Sequence, residues 1–161
     1  MSKGYLKDLI NYNVMKAVSS MNMIAPLTSN GVLTNDDAKA AIKQVFPIDR
    51  DYTSLLNCIS RNIIDRKDGW VRETMLEWAK NDIDGLILAV RHEIFTAEEV
   101  KPLSYIHATK ALLAAIAVEK PTNANHVITN LRINSCLTDK DIEVLCLSVQ
   151  IFPGELKETT I

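Results

Sequence analysis

Histidines and glycines are the first residues to test for chemistry. None of His92, His107 and His126 has a carboxylate three residues before it, as the ligand pairs of di-iron helical proteins require. His107 stands near the start of an apolar run, which favours a hydrogen-bonded core histidine over a catalytic base. The five glycines lie far apart, whereas a phosphate loop needs closely set glycines. The sequence therefore predicts no catalytic residue, no metal site and no cofactor.

A short acidic segment resembles the centre of a calcium-binding loop, with Asp82 and Asp84 followed by Gly85. The ends of that loop would be Lys80 and Arg91, where a calcium ion needs carboxylates. Acids in a first helical turn are stabilised by the helix dipole. We therefore interpret this segment as a helix start.

Positive charge is most concentrated between Arg50 and Arg72. Arg50 and Arg61 are eleven residues apart, about three helical turns, so both project from one face. An aspartate stands four residues from Arg61 and another four residues from Arg72, and such pairs neutralise each other on a helix. A salt-linked surface is the favoured interpretation, and nucleic-acid binding is the alternative. The candidate residues are Arg50, Arg61, Arg66, Lys67 and Arg72.

Methionines and tryptophans supply the candidates for a protein-binding surface. Methionine is pliable and fits partner surfaces, although it also fills irregular cores. The two tryptophans are eight residues apart and can share one helix stripe, either as core anchors or as an interface hot spot. Core packing is the favoured interpretation, and partner binding is the alternative. The candidates are Met15, Met21, Met23, Trp70 and Trp78.

Composition limits the classes of protein to consider. The 161 residues carry a formal net charge of -2, and 47% of them are hydrophobic, which excludes a disordered chain. The small negative charge gives no overall attraction to nucleic acid or anionic membranes. Three cysteines without close spacing favour buried reduced thiols over a disulfide framework or a zinc site. Because the first residues contain no continuous apolar stretch, we expect a cytoplasmic protein without a membrane span.

The spacing of apolar residues predicts an all-α fold. They recur every three or four residues, and no segment alternates with the two-residue period of a strand. We therefore predict a single-domain bundle of about eight helices. The most apolar segment, residues 105–119 from Tyr105 to Glu119, has no polar side chain between positions 111 and 118. We expect it to be the central helix, buried on nearly all sides.

Capping residues and helix breakers divide the remaining chain. Residues 25–31 have a loop composition and separate a first helix, ending near Met23, from a second that stops before Pro47. Two helix starts look alike, one at Leu33-Thr34 and the other at Leu137-Thr138, each with an aspartate three residues after the threonine. This similarity leaves a duplicated helical solenoid open. The two units differ in length, however, and no fixed period is evident.

The predicted helical domain covers residues 1–152, and residues 153–161 form a polar, flexible tail. The last four residues, Glu158, Thr159, Thr160 and Ile161, resemble the C-terminal ligands of PDZ domains, which have Thr two residues before an apolar end. A PDZ-type partner is therefore a minor alternative.

These patterns favour a non-enzymatic protein-interaction module, which acts as an adaptor, an inhibitor or an assembly component. Its partner would be another protein, including a second copy of itself. The alternative is a helical nucleic-acid-associated protein that uses the basic region between Arg50 and Arg72. The many asparagine and isoleucine residues would suit a viral or phage origin.

Overall fold

Helices form along most of the described chain, where apolar residues recur every three or four positions. The structure is a computed structural model that describes residues 17–149, with only the backbone of residue 123. Within residues 17–149 there are eight α-helices, one 3-10 turn at Met21–Met23 and no strand, which confirms the predicted all-α class. The helices are α1 (Ile24–Ser29), α2 (Asn35–Asp49), α3 (Tyr52–Ser60), α4 (Gly69–Asn81), α5 (Ile83–Arg91), α6 (Lys101–Ala117), α7 (Thr122–Ile133) and α8 (Asp139–Ser148).

Short polar side chains start several helices, as predicted. Asp82 accepts a hydrogen bond from the N–H of Asp84 at 2.9 Å, so the acidic segment begins α5. Thr138 and Asp141 form a complete capping box, in which each side chain accepts a hydrogen bond from the other residue's backbone N–H. These bonds satisfy donors that a first turn leaves unpaired.

The prediction of a loop at residues 25–31 is wrong, because helix α1 covers most of this segment. Pro26 lies in the first turn of α1, where its missing N–H has no helical partner, so the helix tolerates it. Residues 18–20 are not helical, so the first predicted helix does not continue to Met23. Its earlier part lies outside the described residues.

Helix α2 does not stop before Pro47, contrary to the prediction. It continues to Asp49 and ends at Arg50, whose backbone is left-handed with φ 54. A proline in the last turn removes one hydrogen bond, whereas Phe46 beside it remains buried. The packing of Phe46 therefore holds the last turn helical.

Four helix ends share one type of connection, which we call the repeated connection. The second residue after the helix is left-handed. The N–H of the residue that follows it donates to the carbonyl five residues back, as from Val32 to Leu27 at 2.9 Å and from Ile94 to Ala89 at 2.9 Å. Two apolar residues follow, then a capping residue and, three residues later, an acid. The left-handed residues are Gly31, Asn62, Glu93 and Ser135; the capping residues are Thr34, Asp65, Thr96 and Thr138; the acids are Asp37, Asp68, Glu99 and Asp141.

The repeated connection has a regular spacing. Its first three left-handed residues are 31 residues apart, at positions 31, 62 and 93, and the fourth follows after 42 residues at position 135. The last interval is longer because α6 and α7 have 17 and 12 residues, against 13 and 9 in α4 and α5. No fixed period therefore runs through all four copies, as predicted, although the first three are evenly spaced. Helices α1, α3, α5 and α7 end in a repeated connection, and α2, α4, α6 and α8 follow one.

The helices belong to two compact units, one up to Val71 and the other from Arg72 onward. In the first unit, α1 packs against α2 and α3. The Phe46 ring meets Tyr52 and Trp70 edge-on, with ring centroids 5.0 and 5.6 Å apart. The single domain over residues 1–152 stays a prediction, and the predicted tail lies outside the described residues.

In the second unit, α6 packs against α5, α7 and α8. Its buried side carries Ser104, Ala108, Leu112 and Ala115. Leu113 and Ile116 are 54% and 42% exposed, so the prediction that this helix is buried on nearly all sides is wrong. The apolar run covers both sides of α6, and only one side packs. Among residues 17–149, no helix is both long and apolar enough to span a membrane.

Candidate protein-interaction surface

The exposed side of α6 carries a stripe of large apolar residues. Ile106, which is 47% exposed, lies seven residues before Leu113, or about two helical turns. Ile116 follows three residues later, and residues three apart are neighbours on a helix surface. A surface helix normally carries polar residues at these positions. The stripe is therefore more apolar than the solvated side of a helix usually is.

Helix α8 has a similar exposed side. Val144 and Leu147 are 49% and 62% exposed and lie three residues apart. Leu145 and Cys146, between them in sequence, are buried. Both α6 and α8 thus pack with one apolar side and expose another.

The first turns of α6 and α8 are joined by a polar cluster centred on Asp141. The Tyr105 hydroxyl donates to Asp141 Oδ1 at 2.5 Å, and Lys101 Nζ lies 3.4 Å from Asp141 Oδ2. The hydrogen bond from Tyr105, followed by the bond from the Thr138 backbone, holds the pKa of the Asp141 carboxyl far below its usual range. The same bond raises the pKa of Tyr105, because ionisation would remove the donated proton. The cluster fixes α8 beside α6.

This link between neighbouring helices recurs along the chain. In the first unit, Lys43 Nζ lies 3.5 Å from Asp68 Oδ2, and in the second unit Arg72 Nη2 lies 2.8 Å from Glu99 Oε2. In each case the acid of a repeated connection binds a side chain from the even-numbered helix before it. Tyr105 stands twelve residues after a left-handed residue, and Lys43 has the same position in its own repeat.

The corresponding position in α8 is Leu147, twelve residues after Ser135. In α6 this position faces the next even-numbered helix, whereas in α8 it is exposed. Helix α8 therefore presents the side on which a further helix of the repeat would pack. We call the exposed residues of the two helices the α6–α8 face: Ile106, Leu113, Ile116, Val144 and Leu147.

The predicted protein-binding residues lie elsewhere. Met15 is outside the described residues. Met21 is fully buried, so it offers no surface to a partner in this structure, and Met23 is half-buried. Trp70 and Trp78 are also half-buried. A Cβ added at Gly85 would lie 2.6 Å from two ring carbons of Trp78, so that ring packs against α5.

The predicted basic residues have separate local roles. Arg50 is exposed, and its guanidinium carbon lies 5.9 Å from the centre of the Phe46 ring. Arg72 bonds to the Ile94 carbonyl and to Glu99, each at 2.8 Å.

The pairs predicted between Arg61 and Asp65 and between Asp68 and Arg72 are not among the ion pairs of the described residues. Arg61 instead bonds to neutral side chains. Arg66 is half-buried, and Lys67 is exposed.

Histidine and cysteine side chains have structural surroundings. His107 Nε2 donates to the Ala79 carbonyl at 2.6 Å, as expected of a hydrogen-bonded core histidine. Cys58, Cys136 and Cys146 are buried and form no disulfide, as predicted. Burial raises the pKa of the Cys58 thiol to about 11, despite an opposing effect of Arg61. In residues 17–149 no group of three or more potential ligands could hold a metal ion.

The residues of the α6–α8 face were missed by the sequence reasoning, because an apolar run predicts burial equally well for all its members. The spacing of the repeated connection is the signal that could have singled out Leu147. Comparison with protein-family models, with curated proteins and with solved structures finds no match for this chain.

Proposed function

We propose that this chain is a helical protein-interaction module that assembles with a second copy of itself through the α6–α8 face. The observation that carries the proposal is the exposure of Leu147 at a repeat position that packs against the next helix in α6. Helical repeats bury their apolar sides by stacking on neighbouring helices. The exposed apolar side of α8 therefore favours a further helix as the partner.

A second copy supplies a helix of the required kind. Helix α8 already packs on α6 with one apolar side and carries Val144 and Leu147 on another. Two copies related by a twofold axis would bring identical apolar surfaces together, and twofold dimers are the commonest soluble oligomers.

The expected affinity follows from the exposed area. Five side chains per copy, each about half exposed, would gain roughly 1 kcal/mol apiece on burial, or roughly 10 kcal/mol for two copies. Association itself costs about 4 to 15 kcal/mol. With an association cost near the low end of that range, about 4 to 6 kcal/mol, roughly 4 to 6 kcal/mol remain. We therefore expect a weak dimer with a dissociation constant between about 40 μM and 1 mM.

Sedimentation equilibrium over that concentration range tests the proposal. The wild-type chain is expected to gain mass with concentration, and Leu147→Ser together with Val144→Ser is expected to remain monomeric. Ile48→Ser and Ile133→Ser are matched controls, because both isoleucines are exposed outside the α6–α8 face. A monomeric wild type at millimolar concentration would contradict the proposal, as would a dimer that the double variant leaves intact.

A further inference from the structure

A groove in the first unit has features that the proposed function does not use. It has a volume of about 350 Å³ and lies between α3 and the segment formed by the 3-10 turn and α1. One wall is lined by Asn22 and Pro26, which are exposed, with Met21 and Ala25 buried beneath them. The opposite wall is polar and is lined by Thr53, Asn57 and Arg61. Volumes of this order are typical of small-molecule sites.

The polar wall follows from the sequence of α3. Thr53, Asn57 and Arg61 are four residues apart, so they lie one above another on one side of the helix. The other side of α3 is buried and carries Leu55, Leu56, Cys58 and Ile59. The helix therefore has to turn its polar stripe toward the groove.

Arg61 is held at the groove by two neutral side chains. Its Nε donates to Asn57 Oδ1 at 3.2 Å, and its Nη1 donates to the Ser29 hydroxyl at 3.1 Å. A guanidinium has five N–H groups, so further donors remain. No carboxylate of the described residues forms an ion pair with Arg61, whereas Arg72 and Lys43 each have one. The positive charge of Arg61 is thus fixed in position and is not neutralised by an acid.

We infer that this groove binds a small organic anion. The anionic group, a carboxylate or a phosphate, would accept hydrogen bonds from the remaining Arg61 donors, because a guanidinium matches both groups geometrically. The apolar body of the ligand would lie against the exposed ring of Pro26. Thr53 supplies a hydroxyl on the same wall. The inference concerns the first unit and does not depend on self-association through α6 and α8.

Nuclear magnetic resonance titration with benzoate, phenyl phosphate and benzamide tests the inference. Both anions are expected to shift the signals of Met21 and Arg61 saturably, with dissociation constants on the order of 1 mM for ligands of this size. Benzamide has a similar shape but no charge, and it is expected to bind at least about tenfold more weakly. Preference for one anion would identify the carboxylate or the phosphate as the natural group.

Arg61→Gln is the decisive variant, and Lys67→Gln is its matched control, since Lys67 is an exposed cation between α3 and α4 that does not line the groove. We expect Arg61→Gln to weaken binding of the anions at least about tenfold and Lys67→Gln to leave it unchanged. Equal binding in Arg61→Gln would overturn the inference, as would shifts spread over all exposed cations. A single-stranded oligonucleotide that binds at micromolar concentration, and loses affinity in both variants, would instead establish a nucleic-acid surface and refute the small-anion site.

Discussion

Gly85→Ala should destabilise the protein although alanine is the better helix former. The added Cβ would lie 2.6 Å from two carbons of the Trp78 ring and 2.9 Å from a third, whereas carbon atoms normally approach to about 3.5 to 4.0 Å. The contact is with a rigid ring, so relief requires the ring or helix α5 to shift. Such overpacking costs about 1 to 3 kcal/mol. Alanine recovers about 1 kcal/mol of helix propensity, which leaves a net loss of up to roughly 2 kcal/mol.

Urea denaturation followed by circular dichroism measures this change as a lower midpoint at constant slope. In a Trp78→Ala background the clash is absent, and Gly85→Ala is expected to stabilise the protein by up to about 1 kcal/mol. Gly69→Ala is the matched control, because a Cβ there meets no atom within 4 Å. The same effect of Gly85→Ala in both backgrounds would refute the packing of Trp78 against α5.

Two further predictions concern α6 and its link to α8. Leu112→Ala is expected to lower the free energy of unfolding by about 2 to 5 kcal/mol, because Leu112 is fully buried. Ile116→Ala, on the exposed side of the same helix, is expected to lower it by less than about 1 kcal/mol. Urea denaturation of the two variants measures both changes. Because the pKa of Asp141 is lowered in the folded chain, its carboxylate stabilises the fold above about pH 4. This stabilisation is lost as the pH falls, because the unfolded chain binds a proton at this carboxyl at a higher pH than the folded chain does. Acid titration of stability in Asp141→Asn is expected to show a shallower loss than in the wild type.

Equal losses for Leu112→Ala and Ile116→Ala would show that α6 does not have one buried and one exposed side. An unchanged acid transition in Asp141→Asn would mean that the bond from Tyr105 contributes nothing to the stability of the fold. Tyr105→Phe is the companion variant, because it removes the donor and keeps the ring.

Local features of the fold could be predicted from the sequence because single side chains cause them. Thr138 caps a helix through its own oxygen atom, so residue type and position were sufficient. The cap of α5 is Asp82, whereas Asn81 was expected, because either side chain could accept the same kind of hydrogen bond. Pro47 and the loop-like composition around Pro26 were misleading, because a proline in the first or last turn removes few helical hydrogen bonds.

Only two of the four copies of the repeat were recognised from residue types, because the left-handed residue of each copy has no characteristic side chain. Gly31, Asn62, Glu93 and Ser135 have different side chains but the same left-handed geometry. The exposed side of α6 was missed for a related reason. An apolar run predicts burial, and only the packed structure distinguishes Leu112 from Leu113.

The α6–α8 face is tested most directly by contacts between copies in solution. Isotopically labelled and unlabelled chains would be mixed at about 1 mM, where the expected dimer is populated. The experiment detects nuclear Overhauser effects only between a labelled and an unlabelled chain. We expect such effects among the methyl groups of Ile106, Leu113, Val144 and Leu147. The absence of intermolecular effects at this concentration, or their restriction to residues outside the α6–α8 face, would contradict the proposal.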